Sequence, residues 1–560
     1  MEQRQALATN VRRALPFSPR LLSAWPQSAP AHWAAALVLI AVLGGGILRF
    51  SNLAGVPPAL NQDEAIYGYD AYSLLFTGRD HLGEPFPIAG MEAYGGFTPP
   101  LLAFIEAPVV GILGLHVEVL RGVTAAMGLL AIPLVYLLTL ELFGRRLMAV
   151  LAAWIVAFSP WHVHMSRWAH PASLVTTTMA LTIFLLAWSI RRRSGRGLVA
   201  AAGAAGLTAL TYASMEVYVL LLLAAAAVAY RRQLLEVRRE AVVYSVLVFI
   251  ALVAPMLYVS TMDSTGRSRF DETSSFSAGR ADVGVLATQY LSYYSPDFLF
   301  TSGDGDPMHS PPGFGVELVS ALPFLVAGLF WLLHGVARPT TPWQRSCCLF
   351  ILAALALYPI PGFLTLPSPH SLRAIHLILL GTIIAAAGAG ALWDLAQRAL
   401  SRTPTPVRRT ILAALAVAAL LPITYELVTR YEDYFVRYPT EVAAGFQYGL
   451  EQALGYASTH EGEYDEIWVT DTNQPYIYVL FFNAWPPDEV HNTLQVSRHP
   501  PDVSQVYAFS KYHFLSLPPE IVPAKLPLLE TIPEPDGTAA YFVRGGTVPN
   551  HGRVLVIGKQ

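Results

Sequence analysis

Asn61-Gln-Asp-Glu-Ala-Ile-Tyr67 lies about a dozen residues beyond the first long apolar run of this 560-residue chain. It places two adjacent carboxylates, Asp63 and Glu64, ahead of Tyr67, Tyr69, Asp70 and Tyr72, which follow at helical spacing. The surroundings are hydrophobic: 54% of residues are apolar and only 13% are charged. Two readings stand side by side. The acids open a helix and complement its dipole, or they act as a general base or cation ligand facing a cavity at the membrane surface. The tyrosines have their own alternative as anchors at the lipid–water boundary.

Working outward, the composition excludes an ordinary soluble protein. A mean hydropathy of +0.44 marks a polytopic membrane protein. The formal net charge of −3 says little about partners, and no nucleic-acid partner is expected. The two cysteines, Cys347 and Cys348, are adjacent inside an apolar run, which argues against a disulfide framework and against a metal cluster. Arg4, Arg12, Arg13 and Arg20 precede the apolar stretch His32 to Phe50, which has no small-residue cleavage site behind it. It reads as an uncleaved signal-anchor.

A span needs about 20 apolar residues. Candidates fall at 33–50, 119–143, 147–163, 173–190, 197–213, 217–230, 241–260, 314–336, 346–363, 373–393 and 409–428. The stretch 99–117 is ambiguous, because it holds Pro99, Pro100, Glu106, Pro108 and His116. Arginine placement decides its status. Clusters occur at Arg145-Arg146, Arg191 to Arg196, Arg231 to Arg239, Arg338 with Arg345, and Arg398 to Arg409. If 99–117 lies along the interface, every cluster falls on the cytoplasmic side. The expected fold is therefore a polytopic α-helical membrane protein of about 11 transmembrane helices, with an interfacial helix in its first outer loop and a small C-terminal α/β domain. Residues 1–32 are a cytoplasmic segment, 33–428 the membrane domain and 429–560 an extracytoplasmic domain. Outer loops run over 51–118 and 261–313, the second with Asp271, Glu272, Asp297, Asp304 and Asp306. In the C-terminal domain, Pro439 to Ser458 reads as an amphipathic helix. Glu466–Thr470, Tyr476–Phe482, Ala539–Val543 and Arg553–Ile557 read as β-like runs.

Four further stretches are able to carry chemistry. Tyr94-Gly-Gly-Phe-Thr-Pro-Pro-Leu101 reads as a tight turn and a proline helix start. The outer loop Ser159-Pro-Trp-His-Val-His-Met-Ser-Arg-Trp-Ala-His-Pro171 sets His162, His164, Arg167 and His170 close together; it suits anion binding or packing better than a metal, for which His-x-His alone is weak. Pro367-Ser-Pro-His-Ser-Leu-Arg-Ala-Ile-His376 places Arg373 at the outer start of a span, either snorkelling or matched to a lipid-linked phosphate. Tyr290 to Gly313 mixes Tyr, Asp, His and Gly, and reads as a sugar grip or a lid. No nucleotide-binding or hydrolase motif sits in a suitable context.

These residues, taken in order, resemble the GT-C class of membrane glycosyltransferases, in particular the family-39 group of protein O-mannosyltransferases and lipid A aminoarabinose transferases. The resemblance runs over roughly 33–400. It rests on Asp63-Glu64 with Ala65, Thr98-Pro-Pro-Leu101, Leu120-Arg-Gly-Val, Phe143-Gly-Arg-Arg146, Ser159-Pro and Ser166-Arg167. It implies inverting transfer of a sugar from a polyprenyl-phosphate donor to a lipid, protein or glycan acceptor at the outer face of the cell (plasma or inner) membrane. Asp63 would be the base, with Glu64 as its catalytic neighbour. Arg373, Arg167, His370, Tyr67 and His170 would contact the substrate and donor phosphate. Two departures matter. Thr98 stands where relatives often have lysine, and His170 stands where they often carry Asp. The second removes a carboxylate from any two-carboxylate site for a divalent metal ion, the one cofactor left open; no metal ligands are assigned.

Two other classes compete. A transporter or flippase for a lipid-linked sugar predicts ionisable residues deep in several spans, whereas the acids here lie in outer loops. A non-catalytic scaffold acting through its C-terminal domain would leave Asp63 and Glu64 dispensable.

Overall fold

The computed structural model describes residues 32–93, 96–262, 274–275, 282–497, 505–516 and 526–559. Asp271 and Glu272 lie outside the described residues. Among the described residues, eight helices are long and apolar enough to cross a membrane. They become nine if Arg146–Phe158 and Pro160–Ser166, bent by 58° at their junction, form one broken span. All eleven expected spans fall on helices. The two that fail the length test, Gly195–Ala209 and Ala213–Ala229, have 15 and 17 residues. The chain is a multi-span membrane protein.

Local chemistry sets the helix ends. Ser159 caps Pro160–Ser166 by accepting from His162 N at 3.3 Å, and Pro160 supplies the preset first turn. Helices Leu322–Ala337 and Leu377–Ala399 approach backbone to backbone where Gly328 and Gly388 face each other's helix; a Cβ on either would strike a main-chain carbonyl. At the arginine-rich end, buried Glu141 meets Arg191 and Arg192 at 3.4 and 3.0 Å.

The first loop after His32–Phe50 carries helix Gln62–Thr77, strands β1 (Met91–Ala93) and β2 (Gly96–Thr98), and helix Leu101–Leu113. With 13 residues the last is too short to span, as its prolines and Glu106 suggest. Ile112 and Leu113 at its end are exposed.

The C-terminal part holds a seven-stranded mixed sheet. It comprises β3 (Glu466–Thr470), β4 (Gln495–Ser497), β5 (Gln505–Phe509), β6 (Tyr512–Leu515), β7 (Leu528–Pro533), β8 (Ala539–Val548) and β9 (Gly552–Lys559). The order is β4-β5-β6-β3-β9-β8-β7, with β3 parallel to both its neighbours.

Two expectations need correction. Tyr476–Phe482 is a helix, Pro475–Phe482, not a strand. Seven of its eight residues are buried, so the run is apolar on every face and its periodicity is uninformative, while Pro475 presets a helical first turn. The amphipathic helix is shorter than read: Leu450–Thr459, entered through Gly449 at φ +88°. Ile66, Tyr67, Tyr69, Leu102 and Leu120 share one buried cluster with Ile477, Phe481, Leu555 and Ile557.

Candidate active site

Asn61 caps Gln62–Thr77. Its side chain accepts from Asp63 N at 2.9 Å, and Glu64 returns to Asn61 N at 3.0 Å, completing a capping box. This fixes two adjacent acids in opposite surroundings. Glu64 is fully buried. Its Oε1 accepts from Arg121 Nε at 2.7 Å and Ala169 N at 3.0 Å; its Oε2 accepts from Arg121 Nη2 at 2.8 Å as well as Asn61 N. These four donors saturate the carboxylate. Asp63 keeps a side chain 27% exposed, with Oδ2 4.0 Å from His170 Nε2.

The loop Ser159–Pro171 divides in the same way. His162 Nδ1 meets Arg49 Nη2 at 2.8 Å, and His164 Nε2 meets Met308 O at 2.9 Å. Arg167 donates to the carbonyls of Leu48, Arg49, Asn52 and Val56 at 2.7–3.1 Å. Its guanidinium, expected at the donor phosphate, is buried on these four main-chain acceptors and braces the entry to the first loop. His170 is different. Its Nδ1 accepts the Ala172 N–H at 3.1 Å, so the ring proton sits on Nε2 and faces Asp63. A metal held between Asp63 and His170 does not fit this arrangement, since Nε2–H offers no lone pair.

Beyond His170 a row of rings leads to the second outer loop. His170 and Trp168 lie 4.6 Å apart, Trp168 and His309 6.4 Å, and His309 and His370 4.8 Å. Asp304 closes the row, with Oδ2 2.6 Å from His309 Nδ1 and 3.7 Å from His370 Nδ1. Burial pushes the Asp304 carboxyl up, but the His309 hydrogen bond and charge, with Ser371 N, bring it below the usual range. Burial and the nearby Arg373 and His309 charges lower His370. Arg373 itself is half-buried, its Nη1 donating to Thr365 Oγ1 at 2.7 Å and to the carbonyls of Leu366 and Pro367.

Of the expected site residues, Asp63 and His170 face each other at 4.0 Å, and His370 and Arg373 share the far end of the ring row. Tyr67 is buried and donates to Pro99 O at 3.1 Å, so it braces the start of helix Leu101–Leu113. Arg121 went unassigned from sequence. The signal was there: an arginine inside an otherwise apolar span needs a partner. Glu106 is buried with neither carboxylate oxygen bonded among the described residues; burial and then Glu64 push it well above the usual carboxylate range. A narrow cleft lined by Trp161, Ser310, Phe314, Arg430 and Tyr434 lies beside this row and does not include Asp63.

The fold is similar to the GT-C fold of membrane glycosyltransferases of known structure. The chain superposes on the oligosaccharyltransferase of Archaeoglobus fulgidus, tethered with an acceptor peptide, at a TM-score of 0.51 and 14% identity, covering 80% of this chain and 63% of that chain. It thus spans less than two thirds of that protein's length. ArnT from Cupriavidus metallidurans in the apo state aligns at a TM-score of 0.49 and 15% identity, covering 82% of this chain and 86% of that one. Residues 98–259 match the family described as dolichyl-phosphate-mannose-protein mannosyltransferase. Among curated protein sequences none matches the chain.

Proposed function

We propose that this protein is an integral-membrane glycosyltransferase. It moves a sugar from a polyprenyl-phosphate donor to a protein, lipid or glycan acceptor at the outer face, with inversion. The observation that carries this reading is the split environment of the acid pair: Glu64 locked by Arg121, Asp63 half-accessible and faced by His170 Nε2–H. The family matched over 98–259 is named for a lipid-phosphate sugar donor and a protein acceptor, which supports the donor and acceptor classes.

The chemistry needs little machinery. The acceptor nucleophile attacks the anomeric carbon from the face opposite the phosphate. The bond from that carbon to the phosphate oxygen breaks, and the electron pair leaves with the polyprenyl phosphate. Phosphate is a good leaving group, so no strong general acid is required. Asp63 takes the acceptor proton, and the His170 N–H holds the carboxylate in line. Arg373 faces the charge developing on the leaving phosphate, for which a planar guanidinium is well matched. The prenyl chain stays in the bilayer while its phosphate meets the loops.

The test is transfer of labelled sugar from polyprenyl-phosphate donors in membranes holding wild type or Asp63→Asn at equal protein level. Removing a general base lowers the rate about 10²–10⁴-fold. Equal transfer by both proteins would remove Asp63 from the mechanism. No transfer from any polyprenyl-phosphate donor by wild type would overturn the enzymatic reading.

A further inference from the structure

The ring row ends in a group that the transfer chemistry does not use. Asp304, His309 and His370 converge from two loops that are far apart in sequence: one carboxylate oxygen and one ring nitrogen from each histidine all lie within 4.8 Å of one another. A tetrahedral zinc site with bonds of about 2.0–2.1 Å sets its ligand atoms roughly 3.3 Å apart. The two separations to Asp304 Oδ2, 2.6 and 3.7 Å, bracket that value. We propose that Asp304, His309 and His370 bind a transition-metal ion of the zinc class, which clamps the loop 297–313 to the loop carrying Arg373.

Three further features fit a metal and not merely a hydrogen-bonded cluster. His370 Nδ1 is buried and has no hydrogen-bond partner among the described residues. Asp306 Oδ2 lies 3.8 Å from His309 Nε2, on the side of the ring away from Asp304. When Nδ1 coordinates, the ring proton moves to Nε2, and Asp306 is the carboxylate placed to receive it, the usual outer partner of a ligating imidazole. Finally, the hydroxyls of Ser310 and Ser371, next in sequence to His309 and His370, are both buried without partners among the described residues. They converge on Gly303, where a Cβ would fall 2.6 Å from Ser310 Oγ and 3.5 Å from Ser371 Oγ. One carboxylate and two imidazoles suit zinc or its neighbours rather than magnesium or calcium, which take oxygen ligands.

The test reads metal binding itself and needs no glycosyl transfer. The full chain, purified in detergent, is stripped by a chelator, exposed to excess Zn²⁺ and desalted, and its metal content is measured. Co²⁺ in place of Zn²⁺ reports geometry through its visible absorption. Wild type and Asp63→Asn are expected to retain about one metal per chain, with a four-coordinate Co²⁺ spectrum. His309→Ala and His370→Ala are expected to retain none. Asp306→Asn, which leaves the ligands in place, is expected to bind about 10–100-fold more weakly and guards against a folding defect in the histidine variants. Wild type without metal would overturn the site. So would equal binding by His309→Ala and His370→Ala, or metal lost in Asp63→Asn but kept in His309→Ala.

Discussion

Glu64 and Arg121 form a two-point ion pair, Nε to Oε1 at 2.7 Å and Nη2 to Oε2 at 2.8 Å, with both side chains wholly buried. The remaining Arg121 hydrogens go to the carbonyls of Leu53, Pro57 and Ala59. One arginine in a span therefore fixes the whole approach to helix Gln62–Thr77. Breaking a buried pair by removing one partner leaves an uncompensated charge and costs about 3–5 kcal/mol. Arg121→Ala and Glu64→Ala are expected to lower the unfolding midpoint in detergent by that order, while Asp63→Asn melts like wild type. A Glu64→Ala protein that keeps its melting midpoint and loses only transfer would return Glu64 to the chemistry.

Arg373 tests the other end of the site. Arg373→Lys keeps the charge but loses the planar fork, and Arg373→Ala loses both. A hydrogen bond to a charged group is worth about 1.5–3 kcal/mol. Donor binding by Arg373→Ala is therefore expected to weaken by roughly ten- to a hundredfold, with Arg373→Lys between it and wild type. Saturation curves in donor concentration separate this from a rate defect. An unchanged KM for the donor in both variants would remove Arg373 from the phosphate.

Much of this arrangement was legible in sequence wherever the deciding signal is local. The Asn61 cap, the proline starts, the thirteen-residue helix beyond Pro99-Pro100 and the placement of every long apolar helix follow from spacing and charge. What stayed hidden depends on partners distant in the chain. The Asn61-x-x-Glu64 spacing marks Glu64 as the capping-box acid, but its burial against Arg121 depends on a residue 57 positions away. Arg167 and Arg373 look alike as outer arginines, and only the carbonyls of the first loop, over a hundred residues upstream, claim the former. Pro475–Phe482 reads as a strand because burial on all sides erases the pattern that separates helix from strand.

The seam between the first loop and the C-terminal sheet depends on close approach at Gly68. A Cβ there would run into Leu120 and come within 2.9 Å of Phe481 Cε2. Forcing extra atoms into a packed seam costs about 1–3 kcal/mol. Gly68→Val is expected to raise hydrogen exchange and protease sensitivity in 475–482. Gly122→Ala, at a glycine with nothing within 4 Å of the added carbon, leaves both unchanged. Equal protection in Gly68→Val and wild type would mean the seam tolerates the added bulk.

The same seam carries a pH dependence of fixed sign. His81 is buried between Asp70, whose Oδ1 lies 2.8 Å from Nδ1, and Tyr476, whose hydroxyl lies 3.0 Å from Nε2. Burial disfavours its imidazolium, but the charge and hydrogen bond of Asp70, with Asp80 and Glu92, outweigh burial and raise His81 above the ordinary histidine value. Asp80 is itself pushed up by burial and then by Asp70, and its carbonyl binds His491 Nε2 at 2.8 Å across the seam. For both groups the folded state holds its proton to higher pH than the unfolded chain does. The His81 contribution is complete below about pH 6.5 and is lost as pH rises through the elevated folded value; that of Asp80 fades earlier, above about pH 4. Hydrogen exchange of residues 475–482, corrected for the intrinsic rate, is therefore expected to speed up as pH rises past neutrality. His81→Gln, neutral at every pH, should flatten the profile. A corrected profile that slows with rising pH in wild type, or that keeps its slope in His81→Gln, would show that the imidazolium does not hold this seam.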